Sequence, residues 1–133
     1  MRATTMQGNG QSALRAHLEA RLVELHAKLA TELASAPGAS AAVAGEVRDA
    51  GDESVAIEQT DVRTALMRRD AREMNDVQSA LARLERGSYG MCVECSLDIE
   101  PERLRSLPTA SRCSACQETF ERRAALTAWR SAR

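Results

Sequence analysis

The chain has 133 residues, an apolar fraction of 44% and a formal net charge of −1. Twenty-four of the apolar residues are alanine and only three residues are aromatic, so bulky side chains for a thick core are scarce. This composition disfavours a β-sandwich, a β-barrel and a doubly wound sheet, and the near-neutral charge gives no reason to expect nucleic-acid binding driven by bulk electrostatics. Alanine, leucine, glutamate and arginine together favour long helices.

A leucine stripe predicts the first helix. Residues 1–11 show no periodicity and are typical of a disordered arm, and Ser12 is suited to be the N-cap. From there, leucines recur at spacings of three and four, the period of one helix face. They are Leu14, Leu18, Leu22, Leu25, Leu29 and Leu33. Pro37 and Gly38 end the pattern.

A second stripe predicts another long helix that ends near Arg86. Its clearest members, at spacings of seven, three, four and three, are Met67, Met74, Val77, Leu81 and Leu84. Gly87 and Gly90 stop it. Two stripes joined by a turn-rich segment predict an antiparallel coiled-coil hairpin over residues 12–87, with its tip around residues 35–54. A second helix of about 34 residues would be about 50 Å long.

Charge is distributed unevenly along the chain. Residues 46–62 hold six carboxylates against one arginine, a local charge of −5. From residue 99 to the end there are seven arginines and four glutamates. We expect the acidic middle and the basic tail to be the working surfaces of the protein.

No apolar run approaches the roughly 20 residues that a membrane span needs. Charges also interrupt the apolar stretches of the first 30 residues, where a secretory leader would lie. These features predict a soluble cytoplasmic protein without membrane contact. In that reducing compartment, the four cysteines favour metal ligation over disulfides.

Two C-x-x-C pairs predict a metal site. Cys92 and Cys95 are separated by seventeen residues from Cys113 and Cys116. Each pair bends the backbone so that two thiolates converge, and two pairs complete a tetrahedron around Zn²⁺. Four sulfur ligands leave no position for water, so we expect one structural Zn²⁺ and no enzymatic activity. The alternatives are a redox dithiol, which no predicted sheet supports, and an iron–sulfur cluster, which this spacing favours less.

Residues 88–133 are expected to form a four-cysteine zinc-finger domain closed by a helix. The apolar residues of this helix are expected to pack against the finger or the hairpin base; they are Phe120, Leu126 and Trp129. Its arginines form a basic fringe that either contacts a partner or solvates the helix; they are Arg122, Arg123, Arg130 and Arg133. The predicted fold class is therefore mainly α, with a long antiparallel coiled-coil hairpin, a small zinc finger and a C-terminal helix.

The residues around the cysteines resemble the zinc finger of the DksA/TraR family. The similarity runs over Tyr89-Gly90-Met91-Cys92-Val93-Glu94-Cys95, Ile99, Arg103-Leu104, Pro108-Thr109-Ala110 and Cys113-Ser114-Ala115-Cys116. Two small departures are visible. Ser96 stands where many members have glycine, and Ser106 stands where alanine is usual.

The resemblance implies a function. DksA-type members carry a coiled-coil hairpin whose tip has two aspartates and a small residue, which fall here on Asp49, Asp52 and Ser54. Such proteins regulate transcription by binding RNA polymerase: the finger docks at the rim of the secondary channel and the tip reaches towards the active centre, changing open-complex stability. On the residues alone, turn formation and helix capping would explain both aspartates. The tip register implied by the resemblance favours the functional role.

The resemblance also implies a contact to ppGpp or to the polymerase at Arg69. Asp76 falls where a lysine is expected, and an acid facing pyrophosphate would weaken binding, so the resemblance leaves ppGpp dependence open. The alternative function is a zinc finger that binds DNA directly through its basic region. An enzyme that uses the cysteines is a weaker alternative, because no base or nucleotide loop accompanies them. We expect a monomer.

Overall fold

The structure is a computed structural model that describes the backbone of residues 8–35 and 50–133 and the side chains of residues 8–35 and 58–133. Four helices form it: α1 (Gly8–Ala34), α2 (Ala50–Arg86), α3 (Pro101–Ser106) and α4 (Ser114–Ser131). Within these ranges there is no strand, only an isolated antiparallel bridge between Met91 and Asp98. The mainly helical fold class is confirmed.

Helix α1 begins earlier than the leucine stripe indicates. Gly8 is its first residue, so residues 8–11 are helical rather than part of a disordered arm. The Ser12 hydroxyl donates to the carbonyl oxygen of Gly8 at 3.0 Å, which is a bond within the helix and not an N-cap. The leucine stripe begins where α1 packs against α2, whereas the helix itself begins earlier, at Gly8. Residues 1–7 lie outside the described part of the chain.

Helices α1 and α2 pack side by side, with their apolar seam at the finger end. Leu18 and Leu25 of α1 meet Val77, Ala80 and Leu84 of α2, and all five are buried. Partly buried residues flank them: Leu14, Leu22, Met74, Leu81 and Tyr89. Both predicted stripes are confirmed in this half of the hairpin, where the apolar side chains of the two helices pack together and exclude water.

The seam opens towards the other end of the hairpin. Leu33 of α1 is 61% exposed, and Val62 and Leu66 of α2 are exposed beside it. Ion pairs join the two helices: Arg21–Glu73 at 2.6 Å, Lys28–Asp70 at 2.7 Å and Arg63–Glu32 at 2.8 Å. As the residue numbers rise along α1 they fall along α2, so the helices are antiparallel.

An arginine of α2 binds a backbone carbonyl group at the C-terminal end of α1. Besides its ion pair, Arg63 donates Nη2 to the backbone carbonyl oxygen of Glu32 at 2.8 Å. Glu32 lies in the last turn of α1, where carbonyl groups lack partners within the helix. One arginine therefore binds both the side chain and the terminal backbone of the neighbouring helix.

Helix α2 ends in a Schellman motif at Gly87, whose φ is +74°. The Ser88 N–H donates to the carbonyl oxygen of Arg83 at 2.9 Å, and the Gly87 N–H donates to that of Leu84 at 3.3 Å. A glycine suits this left-handed position because it has no Cβ. The motif turns the chain out of the hairpin and into the finger.

None of the described helices combines the length and the apolar character that crossing a bilayer requires.

Candidate metal centre and its surroundings

The structure brings the four cysteines together. The sulfurs of Cys92, Cys95, Cys113 and Cys116 all lie within 4.8 Å of one another. The Cys95 and Cys113 sulfurs are 3.9 Å apart. A tetrahedron with metal–sulfur bonds of about 2.3 Å has edges of about 3.8 Å, so the spacing suits four thiolates around one ion. The four side chains are positioned to bind a metal ion.

The first cysteine pair lies in a short backbone loop closed by hydrogen bonds. The Cys92 N–H donates to the carbonyl oxygen of Leu97 at 2.8 Å, and the Ser96 N–H donates to that of Cys92 at 3.0 Å. The Ile99 N–H donates to the carbonyl oxygen of Gly90 at 2.8 Å. Ser96 has a φ of +61°, a left-handed conformation that disfavours residues with a Cβ. This explains why glycine is usual there in the fingers that the sequence resembles.

The second cysteine pair lies at the start of α4. Cys113 is the N-cap residue, with extended backbone, and Cys116 lies in the first turn. The Gln117 N–H donates to the carbonyl oxygen of Cys113 at 2.9 Å. The start of α4 thus places both sulfurs of this pair on the side of the first pair.

Hydrogen bonds join the two loops around the sulfurs. The Val93 N–H donates to the carbonyl oxygen of Ser111 at 2.9 Å. Arg112 Nε donates to the carboxylate of Glu94 at 3.1 Å, and Arg103 Nε donates to the carbonyl oxygen of Arg112 at 3.0 Å. Arg103 and Arg112 therefore hold the finger together through these bonds.

Glu100 supports α4 in a way that the sequence did not indicate. Its two carboxylate oxygens each lie 3.3 Å from the backbone nitrogen of Ser114, which donates to them at the first residue of α4. A hydrogen bond from its own amide and the one from Ser114 lower the pKa of Glu100. Glu100 directly precedes Pro101, a typical helix-start signal for α3, but its contact to residue 114 depends on the folded finger.

The thiols differ in their tendency to ionise when no metal is bound. Burial would raise the pKa of Cys92, but backbone hydrogen bonds from Cys95, Cys113 and Glu94 outweigh it and lower that pKa to about 6. The hydrogen bond with the Cys113 thiol and burial raise the pKa of Cys116 to about 12. Four thiolates at this spacing therefore need a cation among them, which fits a metal site.

The apolar residues of α4 do not pack as expected. Phe120, Leu126 and Trp129 are exposed, and α4 has no buried residue. The Arg112 guanidinium lies over the Phe120 ring at 4.1 Å, and that of Arg133 lies over the Trp129 ring at 4.3 Å. Phe120 therefore does contact the finger, through Arg112. For Leu126 and Trp129 the expectation of packing was wrong, because both are more than half exposed and the Trp129 ring is covered by Arg133.

Of the predicted tip residues, Asp52 and Ser54 lie at the opposite end of α2 from the finger. Asp49 falls outside the described residues, while the backbone of Asp52 and Ser54 lies in the first two turns of α2. Helix α2 has 37 residues. At 1.5 Å per residue it spans about 55 Å, and its last turn leads into the finger. Because α2 begins at Ala50, Asp52 is not its N-cap residue.

Arg69, the predicted contact to ppGpp or to the polymerase, is exposed on α2. Its charge contributes to a lowered pKa of Glu73, for which the hydrogen bond from Arg21 is the main cause. Asp76 is also exposed.

Residues 87–122 match the prokaryotic dksA/traR C4-type zinc finger family. The whole fold is similar to the structure of transcription factor DksA2 from Pseudomonas aeruginosa, with a TM-score of 0.68 and 28% sequence identity over 93% of this chain and 92% of that chain. The fold and the site thus define a helical-hairpin protein with a C4 zinc finger, the architecture of a transcription factor. Residues 87–122 thus match a dksA/traR-type zinc finger, and the fold as a whole is similar to that of a DksA transcription factor.

Two further similarities are more distant or more local. The structure of an RNA polymerase binding protein and transcriptional regulator Dks from Chlamydia trachomatis L2 matches with a TM-score of 0.44 and 21% identity, over 81% of this chain and 87% of that chain. An uncharacterized protein of Aquifex aeolicus is 35% identical over 49 residues. That match covers 37% of this chain and 34% of the relative, so the matched part is about a third of the curated relative's length.

Proposed function

We propose that the chain regulates transcription by binding RNA polymerase and has no catalytic activity of its own. The observation that carries the proposal is the similarity to a DksA transcription factor over 93% of the chain, which includes the hairpin as well as the finger. In this proposal the finger docks at the rim of the secondary channel and the hairpin enters it. The acidic tip then approaches the active centre and changes the stability of open promoter complexes.

The shape of the hairpin supports this mode of action. Two helices with a seam of leucine, valine and alanine make a rod that is only two helices wide and about 55 Å long. The segment 46–62, which includes the start of α2, carries a charge of −5. Carboxylates at that end can bind basic groups of a channel or the water shell of a magnesium ion.

We propose that the metal ion is a single Zn²⁺ with a structural role. Cys92, Cys95, Cys113 and Cys116 would hold it, and four sulfurs would leave no coordination position for a substrate. The ion would supply the folding energy that the finger's few apolar residues lack, since such sites contribute about 10–16 kcal/mol. A cytoplasmic location, where the polymerase works and thiols stay reduced, belongs to the same proposal.

In vitro transcription from a ribosomal promoter with purified polymerase tests the proposal. The protein should change the lifetime of open complexes, and the double variant Asp49→Asn with Asp52→Asn should bind polymerase with little change but lose most of that effect. The double variant Glu19→Gln with Glu85→Gln, which removes two exposed charges outside the segment 46–62, is the matched control and should act like the unmodified protein. If the double variant loses helix content or metal, the aspartates are structural. If the unmodified protein does not bind polymerase, the proposal fails.

Response to ppGpp is a separate part of the proposal. Arg69 would contribute a positive charge, while Asp76 lies about two turns further along α2 and would repel a pyrophosphate. We expect the nucleotide to change the effect on transcription weakly, and the same assay with and without ppGpp measures this.

Direct DNA binding remains a second candidate because of α4. This helix has no buried residue and carries Arg122, Arg123 and Arg130, with Arg133 just beyond its end. A gel shift with promoter DNA alone, weakening steeply with salt, would favour this function over polymerase binding. The absence of a shift at micromolar protein would dismiss it.

A further inference from the structure

The contact between the hairpin and the finger is concentrated on one turn of the finger. The Tyr89 hydroxyl donates to the carbonyl oxygen of Pro108 at 2.7 Å. Arg83, in the last turns of α2, donates Nη2 to the carbonyl oxygen of Thr109 at 3.2 Å. Two side chains from the hairpin side therefore bind two consecutive carbonyl groups.

Both donors are fixed on the hairpin side by their surroundings. Arg83 is only 9% exposed, and its Nε is enclosed without a hydrogen-bond partner. Tyr89 packs against the apolar seam of α1 and α2. Burying a guanidinium is costly unless it is hydrogen-bonded, so the bond to Thr109 is the one that compensates this burial. Both donors are therefore packed against the hairpin as well as bonded to the turn.

The same turn leads directly into the second cysteine pair. Ala110 is buried, and the next residue, Ser111, accepts the N–H of Val93 from the first cysteine loop at 2.9 Å. Arg112 is held through its carbonyl group and its side chain, and Cys113 follows it. Only three residues thus separate the carbonyl group that Arg83 binds from a metal ligand.

We propose that Arg83 and Tyr89 are positioning residues that fix the direction of the finger relative to the hairpin and couple that direction to the occupancy of the four-cysteine site. With metal bound, residues 108–113 are held at one end by Cys113 and at the other by the two hydrogen bonds. Without metal, the Cys113 end is released, and the turn no longer presents both carbonyl groups to the hairpin together. The inference depends on metal binding and not on polymerase binding.

The coupling has to act in both directions, because linkage between two equilibria is reciprocal. If metal binding strengthens docking of the turn on the hairpin, then loss of a docking bond weakens metal binding by the same factor. Residues that do not bind the metal but orient its ligands typically lower metal affinity by about 10–100-fold when they are removed. We expect the lower end of that range, because Arg83 and Tyr89 act through the backbone.

Competition with a chromophoric chelator measures the first effect on the full chain. Tyr89→Phe and Arg83→Met should each weaken Zn²⁺ binding by about tenfold. Arg83→Lys, which keeps a donor, should restore part of the affinity, a result that loss of packing alone would not give. Arg86→Met removes an exposed arginine one turn along the same helix and should leave the affinity unchanged.

Distances between nitroxide labels measure the second effect. Labels attached to ketone-bearing amino acids at the exposed positions Ala20 and Ala125 report on α1 and α4 without touching the cysteines. The Zn²⁺-loaded protein should give a narrow distribution, and Zn²⁺-loaded Tyr89→Phe a broader one although all four sulfurs are occupied. Should Arg83→Met fail to fold its finger, Tyr89→Phe still carries the test. The proposal is overturned if Tyr89→Phe keeps the original distribution, or if it broadens with unchanged Zn²⁺ affinity.

Discussion

Ser96 adopts a backbone conformation that its side chain disfavours. Its φ of +61° lies in the left-handed region, and its N–H closes the loop that carries Cys92 and Cys95. The cost for a residue with a Cβ is about 1–2 kcal/mol. Glycine at this position would avoid that conformational cost. Part of the gain would be offset, because glycine also has more conformational freedom in the unfolded chain.

We therefore expect Ser96→Gly to stabilise the metal-loaded finger by up to about 1 kcal/mol. Thermal unfolding of the Zn²⁺-loaded protein, followed through a signal from the finger, measures the change. Ser106→Gly is a suitable control, because Ser106 is helical and glycine should not raise stability there. A lower unfolding temperature for Ser96→Gly would show that the serine side chain contributes more than its backbone costs.

Cys95 is the exposed member of the four proposed ligands, so its replacement tests metal binding with little loss of packing. Cys95→Ser should lose the metal and unfold the finger, because three thiolates no longer close the tetrahedron. The seam of α1 and α2 lies outside the finger, so most of the helix signal should remain. Metal content and far-UV circular dichroism measure the two effects. A variant that melts like the unmodified protein would mean that the metal does not hold the finger.

The cysteines show how far single residues could be predicted. Their two C-x-x-C pairs indicated one metal site, and their sulfurs do lie together, because the ligand spacing is itself the signal. Glu100 was missed, since its bond to the Ser114 amide joins two helices whose relative position no local pattern contains. The exposure of Phe120 was also missed, because the sequence does not show that Arg112 covers its ring.

At the scale of elements, the hairpin is stabilised differently along its length. The half next to the finger buries apolar side chains, while the distal half exposes Leu33 and Leu66 and is joined by ion pairs. The two apolar stripes predicted the two helices but not this difference, because each stripe is regular from end to end. The pairing of Arg63 with Glu32 depends on how α2 is aligned with α1, which neither stripe specifies.

Substitution of two leucines on the same face of α1 tests this difference in packing between the two halves of the hairpin. Leu25 is 1% exposed, so Leu25→Ala should destabilise the hairpin by about 2–5 kcal/mol. Leu33→Ala makes the same chemical change in the open half and should cost less than about 0.5 kcal/mol. Urea unfolding monitored by helix content gives both values. Similar costs at the two positions would mean that the distal half is also packed in solution.

The ion pair between Arg21 and Glu73 should make stability depend on pH. The hydrogen bond from Arg21 lowers the pKa of Glu73 in the folded state below its usual value of 4.5. The pair therefore stabilises the fold above that pH, and its contribution is lost as the pH falls through the lowered pKa. Because both side chains are about one third exposed, we expect no more than about 0.2–1 kcal/mol.

Glu73→Gln should thus unfold at a lower temperature than the unmodified protein at pH 7, and the gap should close on acidification. Thermal unfolding at several pH values checks this. Glu85→Gln, an exposed residue without an ion pair in the described part of the chain, is the control and should show no such gap. A gap that persists at low pH would mean that the carboxylate charge is not its cause.

At the scale of the whole molecule, the acidic segment and the finger occupy opposite ends of one continuous helix. Asp76 lies between them on α2, at a position where the family resemblance expects a lysine. If ppGpp contacts this surface when the polymerase is bound, reversing the charge should strengthen the response. Asp76→Lys should therefore increase the effect of ppGpp on open-complex lifetime, without changing the effect seen in its absence. Glu19→Lys, an equal charge change at an exposed position of α1 outside the segment 46–62, should not.

Because α2 is long, a small change in its angle at the finger produces a large displacement at its far end. Over about 55 Å, a tilt of about 10° at the base would displace the far end by about 10 Å. That is several times the length of a hydrogen bond, so a carboxylate aimed at a catalytic centre would miss it entirely. In the proposed mode of action, the accuracy with which the acidic end reaches its target would therefore depend on the hydrogen bonds of Arg83 and Tyr89 at the opposite end of the hairpin.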